Sequence, residues 1–152
     1  PAYARMGEYF QSSLTEAGFN NIKIETLDWS AWLTESKTDG RFDITLAAWS
    51  NVTRDGSELM EPNFHSVNGQ RRVRLDEDDW ALVDSYIDAS KTTSDTAVRT
   101  EELLACNAML MDEAYAQPIY NSTNLFCYSN EYTNITLDAG GAFYVKDFQY
   151  AA

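Results

Sequence analysis

A chain of 152 residues is the length of one ordinary domain and hides about two-thirds of its unfolded surface on folding. Hydrophobic residues at 44% and aromatics at 13% are enough for a core and argue against intrinsic disorder. Against 24 acidic residues stand 11 basic ones, a net charge of -13 and a pI near 4.2, which repel phosphate backbones and anionic lipid and so disfavour nucleic acid and membrane surfaces as partners.

The elements follow in chain order. Tyr3, Met6, Phe10, Leu14 and Ala17 recur at three- and four-residue spacing, which predicts an amphipathic helix, with Gly18 as its left-handed stop. Ile22 and Ile24 alternate with Lys23 and Glu25, the pattern of a half-buried strand through about Leu27. Asp28 or Ser30 caps a second helix carrying Trp29, Trp32 and Leu33 and ending near Asp39-Gly40. Phe42 to Trp49 is short and mostly apolar, a buried strand, so strand, helix and strand make a βαβ unit with a parallel pair.

From Ser50 to Arg74 periodicity fades, and Gly56, Pro62 and Gly69 predict a long loop. Asp76 to Asp79 precede Trp80, Val83 and Ile87, which share one face of a third helix. Thr93 or Ser94 begins a fourth, with Leu103, Cys106 and Leu110 on one side and Leu104, Ala108 and Met111 on the next, the pattern of a helix packed on two sides. Gln117-Pro118 ends it, Ile119 to Tyr128 reads as a strand, and Gly140-Gly141 break the tail before an aromatic run from Phe143 to Phe148. There is no internal repeat. The fold class is α/β, a mixed sheet flanked by helices, in one domain.

Enzyme signatures are thin. No G-x-S-x-G elbow and no phosphate-cradling glycine loop occur, and the single histidine, His65, falls in the irregular loop, where a solvated or packing role is the expectation. Counted as a calcium loop from Asp76, the sixth position is Ala81 rather than Gly, so the four acids are read as helix N-terminal charge, and no metal or cofactor is expected. Arg71, Arg72 and Arg74 form a small basic patch beside those acids, a self-neutralised surface. Cys106 and Cys127 exclude a four-cysteine zinc site and leave one bridge or two buried thiols open. Sequons stand at Asn51, Asn121 and Asn134, and the chain opens on Pro1 without Met, as a mature form or an excised piece does. Trp29 and Trp80 fit core packing. Trp49 does not: it ends the second strand, at the sheet edge where open α/β folds bind ligands.

The order of these features resembles a known family. Ile22-Lys23-Ile24-Glu25-Thr26-Leu27-Asp28-Trp29-Ser30-Ala31-Trp32, Gly40-Arg41-Phe42-Asp43 leading to Trp49, and Met111-Asp112-Glu113-Ala114-Tyr115-Ala116-Gln117-Pro118-Ile119-Tyr120 are similar to segments of the extracellular solute-binding proteins of oligopeptide, dipeptide and nickel ABC importers. The resemblance runs nearly the whole chain and implies the carboxyl-terminal lobe of a two-lobed, type II periplasmic-binding-protein fold. Residues 136–152 would return to a first lobe not present in this sequence. It further implies a non-catalytic protein that captures a peptide or other polar solute and passes it to an ABC permease. Such proteins sit lipid-anchored on the outer face of the membrane or in the periplasm.

Carried over by position, the ligand-binding residues are Trp49, Ser50, Asn51 and Val52 after the second strand and Asn121, Ser122 and Thr123 in the late strand. Peptide binders of the family place an aspartate three residues after the tryptophan to pair with the ligand's α-amino group. Val52 stands there in this sequence. Either Asp55 substitutes from elsewhere in the loop, or the ligand is internal peptide backbone or a non-peptide solute. A different class of reading is an acidic extracellular module that binds another protein.

Overall fold

A computed structural model describes residues 2–38, 40–123, 125–138 and 140–151. The described residues form five α-helices and a ladder of two two-residue strands: α1 (Ala2–Glu16), α2 (Trp29–Glu35), α3 (Gly56–Phe64), α4 (Glu77–Thr92), α5 (Thr96–Asp112), β1 (Tyr132–Thr133) and β2 (Gln149–Tyr150). The expected mixed α/β sheet, and with it the sheet-based lobe, is overturned: this is a mostly helical protein. Among the described residues, those of 22–27, 42–49 and 119–128 join no ladder and form no βαβ unit. Alternation shows that a segment has an apolar face, but a strand exists only when another backbone lies alongside to complete its hydrogen bonds. Ile24, Ile44, Ile119 and Leu125 accordingly remain exposed.

The chain divides into two compact units, Pro1–Trp49 and Ser50–Ala152. In the first, α1 forms where the three-and-four stripe predicts it, and Gly18 ends it at φ +97°, a conformation that penalises a β-carbon. Gln11 Nε2 donates to the Ile22 carbonyl at 2.8 Å and ties the returning chain to α1. Of the two candidate caps for α2, Asp28 serves, accepting from Ala31 N at 2.9 Å. The helix stops at Glu35, and Asp39, near the expected end, lies outside the described residues. Trp29 stacks on Trp32 with centroids 5.0 Å apart yet is 57% exposed, so its expected core role is corrected. Arg41 bridges Glu25 and Glu35 at 2.6 and 2.8 Å, joining the segments either side of α2.

The second unit holds the apolar core. Met60 and Phe64 of α3, Leu75 just before α4, Trp80, Val83 and Ile87 of α4, and Cys106 and Leu110 of α5 form one buried cluster. The α4–α5 pair is the principal seam, and its face is the one the Trp80/Val83/Ile87 and Leu103/Cys106/Leu110 spacings select. The second face expected of α5 is not covered: Leu104 is 61% exposed and Ala108 is exposed too. Asp95, rather than Thr93 or Ser94, caps α5 by accepting from Ala97 N and Val98 N.

Helix α3 lies inside what the sequence reads as loop. Asp55 caps it, and it runs through Pro62 despite the missing N–H. Beyond it, Gly69 N donates to the His65 carbonyl at 2.9 Å, and a β-carbon on Gly69 would stand 2.3 Å from that same oxygen. Only glycine fits this turn. Near the carboxyl end, β1 and β2 pair antiparallel, Tyr132 opposite Tyr150, and Phe126, Phe143 and Phe148 meet edge to face.

Cys106 is a buried free thiol in the α4–α5 seam and Cys127 an exposed one, so they do not form the bridge left open above. Burial pushes the Cys106 thiol up to about 11. One thiol, Cys127, is expected to react with a disulfide reagent at pH 8 in the native protein, and the second only after denaturant is added. Two equally fast thiols would contradict this seam.

Among the described residues no helix is long and apolar enough to cross a membrane.

Candidate functional site

Of the residues expected to meet ligand, Ser50, Asn51, Val52 and Asp55 lie in one loop, which is held by its own hydrogen bonds to the start of α3. Asn51 Nδ2 donates to the Asp55 carbonyl at 2.8 Å. Thr53 offers its backbone N–H and its hydroxyl to Glu58 Oε2, at 2.6 and 2.5 Å. Those two donors hold the Glu58 carboxyl below the usual carboxylate range. Arg54 takes φ 60°, the left-handed turn that lets the chain enter the helix. Val52 is exposed, and its side chain lies about 3.0 Å from where a β-carbon on Gly140 would stand, so the tail crosses the loop closely there.

Asp55, the candidate substitute for the missing amino-group partner, is already engaged. Its Oδ1 accepts from Ser57 N at 2.9 Å and from Ser57 Oγ at 2.7 Å, and its Oδ2 accepts from Arg99. The hydrogen bonds from Ser57, followed by that from Arg99, keep its carboxyl below the ordinary range. Arg99 also donates to the Ser90 carbonyl near the end of α4, so one guanidinium from α5 holds the loop, α3 and α4 together. Asn51 Oδ1, by contrast, is buried with no hydrogen-bond partner, while the bond from Nδ2 to Asp55 fixes the amide's orientation. Among the described residues expected to bind, this acceptor is the one buried side-chain polar atom without a hydrogen-bond partner.

Asn121, Ser122 and Thr123 are exposed on an irregular segment, and among the described residues no hydrogen bond joins them to residues 50–55. Trp49 closes the first unit and is 39% exposed. The structure thus brings Asn51 and Asp55 into one hydrogen-bonded loop with Ser50 and Val52, and does not bring the late segment into that network. Arg99, Thr53 and Glu58 are the residues missed as parts of this loop. Glu58, three residues after Asp55, was the available signal, being the spacing of a helix start. Nothing in the local sequence links Asp55 to an arginine 44 positions away.

His65 is buried, with 5% of its surface exposed, at the carboxyl end of α3. Its Nδ1 accepts from Val67 N and Asn68 N, both at 3.1 Å, which places the ring hydrogen on Nε2, 3.4 Å from Asp88 Oδ1. A nitrogen whose lone pair is taken by two backbone donors abstracts no proton from a substrate. The surrounding ions are organised by Lys91, which holds Glu61 at 2.8 Å and Asp88 at 3.0 Å. Asp79, in the acidic first turn of α4, accepts from the Tyr115 hydroxyl. Among the described residues no three histidine, cysteine or carboxylate side chains gather as metal ligands.

Comparison of the chain with protein-family models, with curated proteins and with solved structures yields no match.

Proposed function

We propose that this chain is a non-catalytic, ligand-binding part of an ABC-importer solute-binding protein, taking up oligopeptides or a related polar solute outside the cell. The reading rests on the ordered motifs from Ile22 to Tyr120 and not on a sheet-based lobe, which the described residues do not form. The structural observation that favours it is the loop at residues 51–58. It is rigidly held, its carboxylates are internally paired, and it keeps one buried acceptor, Asn51 Oδ1, unsatisfied. A loop of that kind suits a ligand read through neutral hydrogen-bond donors, such as peptide N–H groups, rather than through a free ammonium. Many large apolar side chains are exposed, among them Phe19, Leu125 and Tyr150, which suits a chain that works against a further lobe of the same protein.

The test is a titration of tryptophan fluorescence with a pentapeptide pool, once with free amino termini and once N-acetylated. Saturable binding with Kd above about 1 μM is expected in both pools. Asp55→Asn should leave it within about twofold, and Asn51→Ala should weaken it by about tenfold, the loss of one hydrogen bond. No saturable change in either pool would overturn the reading.

The same exposed apolar surface also favours the second reading, a module that binds another protein. A single tight partner recovered from cell-surface extract, with no peptide response, would favour that alternative.

A further inference from the structure

The turn between α3 and α4 builds a polar concavity from residues that the reading above does not use. It is an open depression of about 390 Å³, walled by Ser66, Val67, Arg71, Glu77, Trp80 and Asp84. Its floor is firm, because Trp80 belongs to the core cluster, and the turn is fixed by the Gly69 approach and the two N–H donors on His65 Nδ1.

The charges along this wall are not equally available. Asp84 accepts from Ser66 N at 2.8 Å and from the Ser66 hydroxyl, so its carboxylate is engaged. Glu77, in the first turn of α4, is exposed and has no partner among the described residues. Arg71 lies over the Trp80 ring with its guanidinium carbon 5.0 Å from the centroid, and among the described residues it pairs with no carboxylate. Its backbone sits at φ 47°, a region unfavourable for a residue with a β-carbon, so the turn places this side chain at a conformational cost. Stacking on an aromatic face leaves a guanidinium's in-plane donors free for a planar carboxylate.

A simple anion meets the repulsion of a protein carrying a net charge of -13 and finds only one cation here. A zwitterion meets no net repulsion and can use Glu77 as well. We propose that this depression binds a small zwitterion, a free α-amino acid, with its carboxylate on Arg71 and its ammonium on Glu77.

The experiment titrates L-alanine into the full chain by calorimetry and tryptophan fluorescence, with propionate and ethylammonium as single-charge probes. Saturable millimolar binding of alanine is expected, with each single-charge probe weaker by about tenfold. Arg71→Met and Glu77→Gln should each weaken alanine by about tenfold with the helical circular dichroism unchanged, since both side chains are exposed. Arg71→Lys, which keeps the charge but not the planar fork, should weaken it as well and guards against a packing effect of losing the ring contact. Propionate binding as tightly as alanine, no saturation below about 100 mM, or variants within twofold of the parent would each overturn the proposal. Trp49→Phe should leave alanine binding intact, which keeps this site separable from the peptide reading.

Discussion

Replacing Ile87 with alanine is expected to lower the free energy of unfolding by about 2–5 kcal/mol, read as a fall in the urea midpoint with an unchanged slope. Ile87 is completely buried at the centre of the α4–α5 seam, and Val83, Cys106 and Leu110 around it are as closely covered. Truncation removes apolar atoms from water-free contact and leaves a cavity that three packed helices cannot close. Against a typical total of about 5–15 kcal/mol, that loss is a large share of the stability. Leu104→Ala, on the exposed face of α5, is the control and should fall within about 0.5 kcal/mol of the parent. Equal effects at the two positions would show that α5 is packed on both faces after all.

The second large effect is expected at Arg99. Arg99→Met removes the donors to the Ser90 carbonyl and to Asp55 and should cost about 2 kcal/mol near neutral pH, chiefly through the partly buried Ser90 bond. The contribution of the Asp55 pair is smaller, because that carboxylate is 41% exposed and water screens it. The pH dependence has a definite sign. Asp55, held first by Ser57 and then by Arg99, and Glu61 and Asp88, held first by Lys91, all titrate below their ordinary values in the folded chain. Their stabilisation is therefore fully present above the unfolded value, about 4, and is lost as pH falls through the lower folded values. Urea midpoints measured from pH 7 to pH 2.5 should fall steadily below about pH 4, and the fall should be shallower in Arg99→Met. An equally steep acid dependence in the variant would mean that Arg99 does not hold Asp55.

The helices were far more legible in the sequence than the strands. The stripe from Tyr3 to Leu14, the acids before Trp80, and the Leu103/Cys106/Leu110 spacing each locate a helix, because every backbone hydrogen bond of a helix closes within its own segment. Helix α3 escaped because Gly56 and Pro62 read as breakers. Yet Met60 and Phe64, four apart and both buried, carry its apolar face, and the tertiary packing they join outweighs the proline. The candidate site was legible only in part. Asn51 and Asp55 lie in one hydrogen-bonded loop, but the expected availability of Asp55 failed, since its partners Ser57 and Arg99 come from two separate helices.

What the sequence alone determined was therefore local: which stretches form α1, α2, α4 and α5, that Gly18 ends the first of them, and a net charge that repels anions. The tertiary structure decided which alternating segments lack a partner strand, which face of α5 is covered, and which carboxylates are already paired. The division has one physical cause. A helix and its caps are satisfied by residues three or four positions away, whereas a ladder, a buried face or an ion pair needs a group whose sequence position the local pattern does not encode.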